Sequence, residues 1–184
     1  MTEPGIPDLM QDAAAGDRAA FSAVMRYALP RAWRLAMRML GNQAEAEEVA
    51  QEAMLRLWRH AGSFDPRRAP FDAWLTRITA NLALDRLRMR QRAGVAVGLD
   101  DAIPSTTPNP EEALGRAARM ARIEVALQTL PDRQRAAVVL VHYEGLSGVQ
   151  AAQSLGMTPK ALEGLLYRGL GALRRLLLDE GEAE

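Results

Sequence analysis

The sequence predicts an all-α protein of two small helical domains joined by a flexible linker, with a helix-turn-helix in the second. Three observations carry that expectation. Runs rich in Ala, Leu, Arg and Glu favour helix, while glycine, proline and aromatic usage does not suggest a β-protein. Apolar residues recur at helical spacing over two separate stretches. Between these, Ala93 to Pro110 (AGVAVGLDDAIPSTTPNP) holds three prolines, two glycines and little periodicity, the composition of a linker. With 184 residues, 48% of them hydrophobic, the chain can build one ordinary core or two small ones. The predicted division is 1–92, a linker over 93–115, and 116–184.

Composition also excludes functions. No cysteine is present, so disulfides, thiolate metal sites and thiol redox sensing within the chain are ruled out. His60 and His142 do not lie at a metal-ligand spacing, and Ser147 and Ser154 have no nearby base, so neither a metal, a cofactor nor an enzymatic activity is expected. Glu47, Glu48 and Glu52 read as N-terminal acids and exposed polar positions of one helix rather than a catalytic cluster. No apolar run approaches membrane-spanning length, and the start, MTEPGIPDLMQDAAAGD, lacks a basic-then-apolar signal pattern, so a cytoplasmic location is expected.

Lys+Arg and Asp+Glu both total 23, yet the charges are unevenly placed. From Leu55 to Arg92 nine arginines face only Asp65, Asp72 and Asp85, whereas the middle and the tail are acidic. A basic block of this kind suits nucleic acid.

From Asp17 to about Arg92 the pattern predicts three or four helices, interrupted at Gly41-Asn42 and between Phe64 and Pro70. The stretch Ala44 to His60 (AEAEEVAQEAMLRLWRH) has an acidic start and an amphipathic body. Most of Val49, Met54, Leu55, Leu57 and Trp58 are expected in the core, while Gln51, Glu52, Arg56 and Arg59 are free to face a partner; periodicity alone does not decide between the two. In FDAWLTRITANLALDRLRMRQR, Phe71, Leu75, Ile78, Leu82 and Met89 form an apolar stripe, and Arg77, Asn81 and Arg88 form a polar one. Asp72 is a candidate cap. Arg86, Arg90 and Arg92 add positive charge for phosphate, and Asn81 is a candidate for reading a base.

Helices resume near Glu111 and run to Leu178, with breaks at Leu130-Pro131, Gly145 and Gly156. The segment GLSGVQAAQSLGMTPKALEGLLYR, Gly145 to Arg168, has helix-turn-helix spacing. Ala152 is small where two helices cross, Gly156 suits the left-handed turn, and Leu162 enters the shared core. Thr158-Pro159 supplies an N-cap followed by proline at the first helical position. On the helix that follows, Leu162, Leu165, Leu166, Leu170, Leu173, Leu176 and Leu177 are expected inside. Lys160, Glu163, Gly164, Tyr167, Arg168, Gly171, Arg174 and Arg175 form the opposite, groove-facing side. Gly164 and Gly171 each cost about 1 kcal/mol against alanine in a helix, for which close backbone approach is one use.

Three segments in order, AEEVAQEAMLRLWR, FDAWLTRITANLALDRLR and LPDRQRAAVVLVHYEGLSGVQAAQSLGMTPKALEGLLYRGLGALRR, resemble the bacterial extracytoplasmic-function sigma factors over nearly the whole chain. The resemblance implies a transcription initiation subunit of RNA polymerase. It implies that Glu48, Gln51, Glu52, Leu55 and Trp58 bind the clamp coiled coil of core RNA polymerase. Arg77, Asn81, Arg86 and Arg88 would serve the −10 element of promoter DNA, with Asn81 helping to hold a flipped-out base. Thr158, Lys160, Glu163, Gly164, Tyr167 and Arg168 would read the −35 element as duplex. An anti-sigma factor is the implied regulator, and without cysteine in this chain the signal would be received by that partner. One departure stands out. Where members carry a run such as VKSRLHRA, this chain has Leu162 to Gly169 (LEGLLYRG), lacking two positive charges, which predicts a weaker −35 grip. A sigma mimic that sequesters an anti-sigma factor and a stand-alone helix-turn-helix regulator are the alternatives.

Overall fold

The structure is a computed structural model that describes residues 5–93 and 120–179. All regular structure among the described residues is helical. The chain divides between Arg90 and Gln91 into two compact units. The expected linker lies outside the described residues except Ala93, the last residue of a helix, and Glu111 and the acidic end from Glu180 lie outside them too.

The first unit begins with a helix the sequence pattern did not announce, α1 (Ile6–Ala14), which buries Met10 and Ala13. Asp17 then caps α2 (Arg18–Leu40), its Oδ1 accepting from the Ala19 and Ala20 amides at 2.7 and 3.1 Å. The Gly41-Asn42 break performs two tasks. Gly41, at φ 63°, ends α2 in the left-handed conformation that glycine adopts without a Cβ penalty. Asn42 opens α3 (Gln43–His60) by accepting from the Glu45 amide at 2.9 Å. The two helices pack through a run of small residues, Ala28, Ala32 and Ala36 on α2 and Ala46, Ala50 and Ala53 on α3, between Leu35, Met39, Val49, Met54 and Leu57. A single 3-10 turn (Ala61–Ser63) and the loop to Pro70 lead into α4 (Phe71–Ala93).

In the second unit the described part of α5 covers 120–128, followed by α6 (Asp132–Val138), which runs on as a π turn over Val139–Tyr143. Gly145, at φ 65°, breaks the chain, and Ser147 starts α7 (Gly148–Ser154) through a reciprocal capping box with Gln150. Gly156, at φ 61°, makes the expected turn. Thr158 Oγ1 accepts from the Ala161 amide at 3.2 Å, and Pro159 begins α8 (Pro159–Asp179). Ala152 and Leu162 are buried as the spacing predicts, beside Leu127, Val138, Val139, Leu140 and Leu155. Arg135 is buried among them. It donates to the Gln128 carbonyl at 3.1 Å and to Asp132 Oδ1 at 2.8 Å, satisfying a carbonyl at the end of α5 while keeping its own charge paired.

Several positions differ from the periodic expectation. Leu55 and Trp58 stay 49% and 47% exposed on α3 because the core is already closed by Val49, Met54 and Leu57. On α4 the end of the apolar stripe fails: Met89 is 59% exposed, and Arg90 is buried instead, donating to the Leu40 carbonyl at 3.0 Å and pairing with Glu45. Asp72 is not the cap of α4. It lies inside the first turn, where the hydroxyl of Tyr27 donates to both of its oxygens at 3.1 and 3.0 Å. On α8 only Leu162 and Leu173 of the predicted leucine face are fully buried; Leu165, Leu166 and Leu177 are half-buried, and Leu170 and Leu176 are exposed.

Candidate nucleic-acid and partner interfaces

The exposure of Leu55 and Trp58 completes a ridge. Positions 48, 51, 52, 55 and 58 follow the three- and four-residue spacing of one helix face, so Glu48, Gln51, Glu52, Leu55 and Trp58 line up along α3. Glu52 is bonded to Arg56 at 3.1 Å, and the Trp58 ring meets the edge of Phe21 at a centroid distance of 4.2 Å. Two large apolar side chains beside three polar ones, half in water, have the makeup of a protein-binding surface, with a tryptophan anchor and a polar rim.

The four residues assigned to strand contact on α4 do not form one patch. Arg77, Asn81 and Arg88 share a stripe. Arg77 is exposed and has no ion-pair partner among the described residues, Asn81 is half-buried with its amide unengaged by them, and Arg88 is bonded to Asp85 at 2.6 Å. Arg86 sits about 180° round the helix from Arg77, at 100° per residue. Its guanidinium is ion-paired with Glu48 of the α3 ridge. Arg90 is withdrawn from any phosphate-binding role by its burial. Arg92 is exposed.

At the start of α4, Phe64 packs against Trp74 and Phe71, with ring centroids at 5.3 and 5.8 Å, and Phe71 against Tyr27 at 6.0 Å. The Arg31 guanidinium lies 3.5 Å from the centre of the Tyr27 ring. Partial burial, followed by the hydrogen bond and charge of Asp72, raises the Tyr27 phenol above its ordinary range. In the loop, Asp65 accepts from the Arg67 side chain and amide at 3.0 Å, which pulls its carboxyl below the usual range and raises the Arg67 guanidinium. The Tyr27–Asp72 link was not legible beforehand, since 45 residues separate its ends. The aromatic group had a signal in the close succession of Phe64, Phe71 and Trp74.

In the second unit, Thr158, Lys160, Glu163, Tyr167 and Arg168 are all exposed on α8, Tyr167 at 83%, and Gly164 is half-buried among them. Thr158 spends its hydroxyl oxygen on the cap. Lys160, Glu163 and Arg168 make no ion pair among the described residues, so their charges face outward. The tight approach expected of glycine occurs within the fold at a different position: a Cβ on Gly169 would stand 3.1 Å from Val138 Cγ2, whereas Gly171 is open. Ser147 and Ser154 have structural tasks, a helix cap and a bond to the Gln150 carbonyl. No helix of the described residues is long and apolar enough to cross a membrane.

Residues 24–93 match the sigma-70 region 2 family and residues 120–173 match the sigma-70 region 4 family. The chain is 38% identical over 169 residues to the extracytoplasmic-function RNA polymerase sigma factor SigE of Mycolicibacterium smegmatis, spanning 89% of this chain and 65% of that protein's length. It is 32% identical over 173 residues to SigW of Bacillus subtilis, of the same description, spanning 89% of this chain and 92% of that one. Among solved structures, CnrH in complex with the cytosolic domain of CnrY superposes with a TM-score of 0.60 at 29% identity, covering 93% and 96% of the two chains. The fold is also that of the sigma factor RpoE of Bartonella quintana, at a TM-score of 0.67, 23% identity and 85% and 96% coverage.

Proposed function

The chain belongs to the extracytoplasmic-function sigma factors of bacterial RNA polymerase, and on that premise we propose how its surfaces divide the work. It joins core polymerase, directs it to promoters with −10 and −35 elements, and is held in check by an anti-sigma factor; the similar CnrH is found in complex with the cytosolic domain of CnrY. It catalyses no reaction of its own and acts in the cytoplasm.

The α3 ridge of Glu48, Gln51, Glu52, Leu55 and Trp58 is the assigned contact with core polymerase. The observation that carries this is the exposure of Leu55 and Trp58, two apolar side chains on a face whose acidic neighbours would otherwise keep it in water. Arg77, Asn81 and Arg88 are assigned to the −10 strand, and Arg86, on the opposite side of α4, to a separate contact with the −10 element once it leaves Glu48. Stacking and backbone contacts there would offset the few kcal/mol that an extruded base costs. Thr158, Lys160, Glu163, Gly164, Tyr167 and Arg168 are assigned to the −35 duplex.

Reconstituted transcription tests the reading. With purified core polymerase and a promoter taken from its own upstream region, the chain is expected to give a specific transcript, and Leu55→Ala with Trp58→Ala to lose holoenzyme formation while the fold survives. A chain that binds an anti-sigma factor but never joins core polymerase would instead be a mimic, and one that binds duplex as a symmetric dimer without polymerase would be a stand-alone regulator.

A further inference from the structure

Between Thr158 and Arg168 the chain has two cations, Lys160 and Arg168. Where Arg168 places its charge therefore decides much of what this face can recognise. The structure gives a definite answer. The three side-chain atoms nearest to a Cβ built on Gly164 all belong to the Arg168 guanidinium: Nη1 at 3.5 Å, Nη2 at 3.8 Å and Cζ at 4.0 Å. The guanidinium thus lies back along α8 over the bare backbone of Gly164, one turn nearer the helix start than its own Cα. Side chains on an α-helix lean toward the N-terminus, so this path is unstrained, and one turn is about 5.4 Å. No carboxylate among the described residues holds it there. It lies at van der Waals distance from where a Gly164 Cβ would stand, so a side chain longer than a methyl group at 164 would take its place.

The first turns of a recognition helix are the part that comes closest to base edges. An arginine that reaches back to that level presents its planar fork beside Lys160 and Glu163; one splayed outward from position 168 would reach the phosphate strand. Guanine offers O6 and N7 as a bidentate pair for such a fork. We propose that Gly164 is a specificity-determining position: its missing side chain seats the Arg168 guanidinium where it reads a guanine of the duplex element bound by α8. This rests on the assignment of α8 to the −35 duplex. It also gives a use to a residue of low helix propensity inside α8.

The test is holoenzyme selection from a promoter library randomised across the −35 region, run on the native chain, Arg168→Ala and Gly164→Leu. Leucine is a strong helix former, and thermal unfolding of Gly164→Leu is expected to show a melting temperature equal to or above that of the native chain. The native protein is expected to favour guanine at one position by on the order of tenfold or more. Both variants lose that preference while selection at the −10 element is retained. Two results overturn the proposal: Gly164→Leu keeping the guanine preference that Arg168→Ala abolishes, or Arg168→Ala weakening all sequences equally, as a phosphate contact would. Failure of the parent assignment looks different, since the native holoenzyme would then show no selection anywhere in the −35 region.

Discussion

Arg86 on α4 is ion-paired with Glu48 on α3, joining side chains 38 residues apart in sequence. The pair ties the ridge assigned to polymerase to the helix assigned to the −10 strand. Both side chains retain contact with water, so the link is weak enough to exchange for a phosphate or a partner's cation. Arg86→Ala is expected to change the free energy of unfolding by less than about 1 kcal/mol, the range of exposed pairs. The same variant is expected to slow open-complex formation by holoenzyme. Urea unfolding alongside permanganate probing of the melted strand checks both, and a larger stability loss without a melting defect would make Arg86 structural.

Four residues along the same helix, Arg90 answers a different need. Its side chain is 9% exposed and satisfies the Leu40 carbonyl at the end of α2 together with Glu45. Arg90→Ala leaves the partly buried Glu45 carboxylate and a helix-end carbonyl unpaired, so a loss of about 2–3 kcal/mol is expected. Met89→Ala, at the neighbouring exposed position, is expected to stay within about 0.5 kcal/mol of the native chain. Paired denaturant titrations would reveal an inverted order if the apolar stripe did extend to Met89.

Gly169 and Gly171 should respond oppositely to alanine. At Gly169 the new methyl group would press on Val138 and Gln134 where α8 crosses α6, and overpacking of that kind costs about 1–3 kcal/mol. At Gly171 the space is open, so the gain in helix propensity, up to about 1 kcal/mol, should appear as added stability. Thermal melts of the two variants decide it.

The loop before α4 carries a pH signature. The hydrogen bonds and charge of Arg67 depress the Asp65 carboxyl in the folded state. Its contribution is therefore present above the ordinary aspartate value and is lost as pH falls through the lowered folded one. Carboxyl-detected NMR titration should place Asp65 below a free aspartate, and Arg67→Ala should bring it part of the way back, since the amide of residue 67 and Arg68 remain; an unmoved Asp65 would mean that the Arg67 side chain does not set it.

A fifth expectation concerns α7. Ser147→Ala removes one half of the capping box with Gln150 and should cost about 1 kcal/mol. Gln150→Ala should cost less, because it removes only the bond to the Ser147 amide. Equal effects in thermal melts would argue against the reciprocal arrangement.

What the sequence by itself determined is local. Gly41, Gly145 and Gly156 sit where the backbone must turn left-handed, and Asp17, Asn42 and Thr158 sit where a helix must begin. Each of these needs only its immediate neighbours, and so helix boundaries, the helix-turn-helix and the all-α class were legible. Only the tertiary structure decided which members of a periodic stripe go inside. A period of 3.6 residues gives the direction of a helix face but not its width or length, which depend on where the partner helix ends. Hence α2, stopping at Leu40, draws in Arg90 and leaves Met89 in water, and the closed α2–α3 seam leaves Leu55 and Trp58 outside. Arginine after arginine along α4 looks equivalent in sequence; the fold separates Arg77, in open solvent, from Arg86, held by Glu48, and from Arg90, buried, because each meets a different neighbour at a distance that no local pattern encodes.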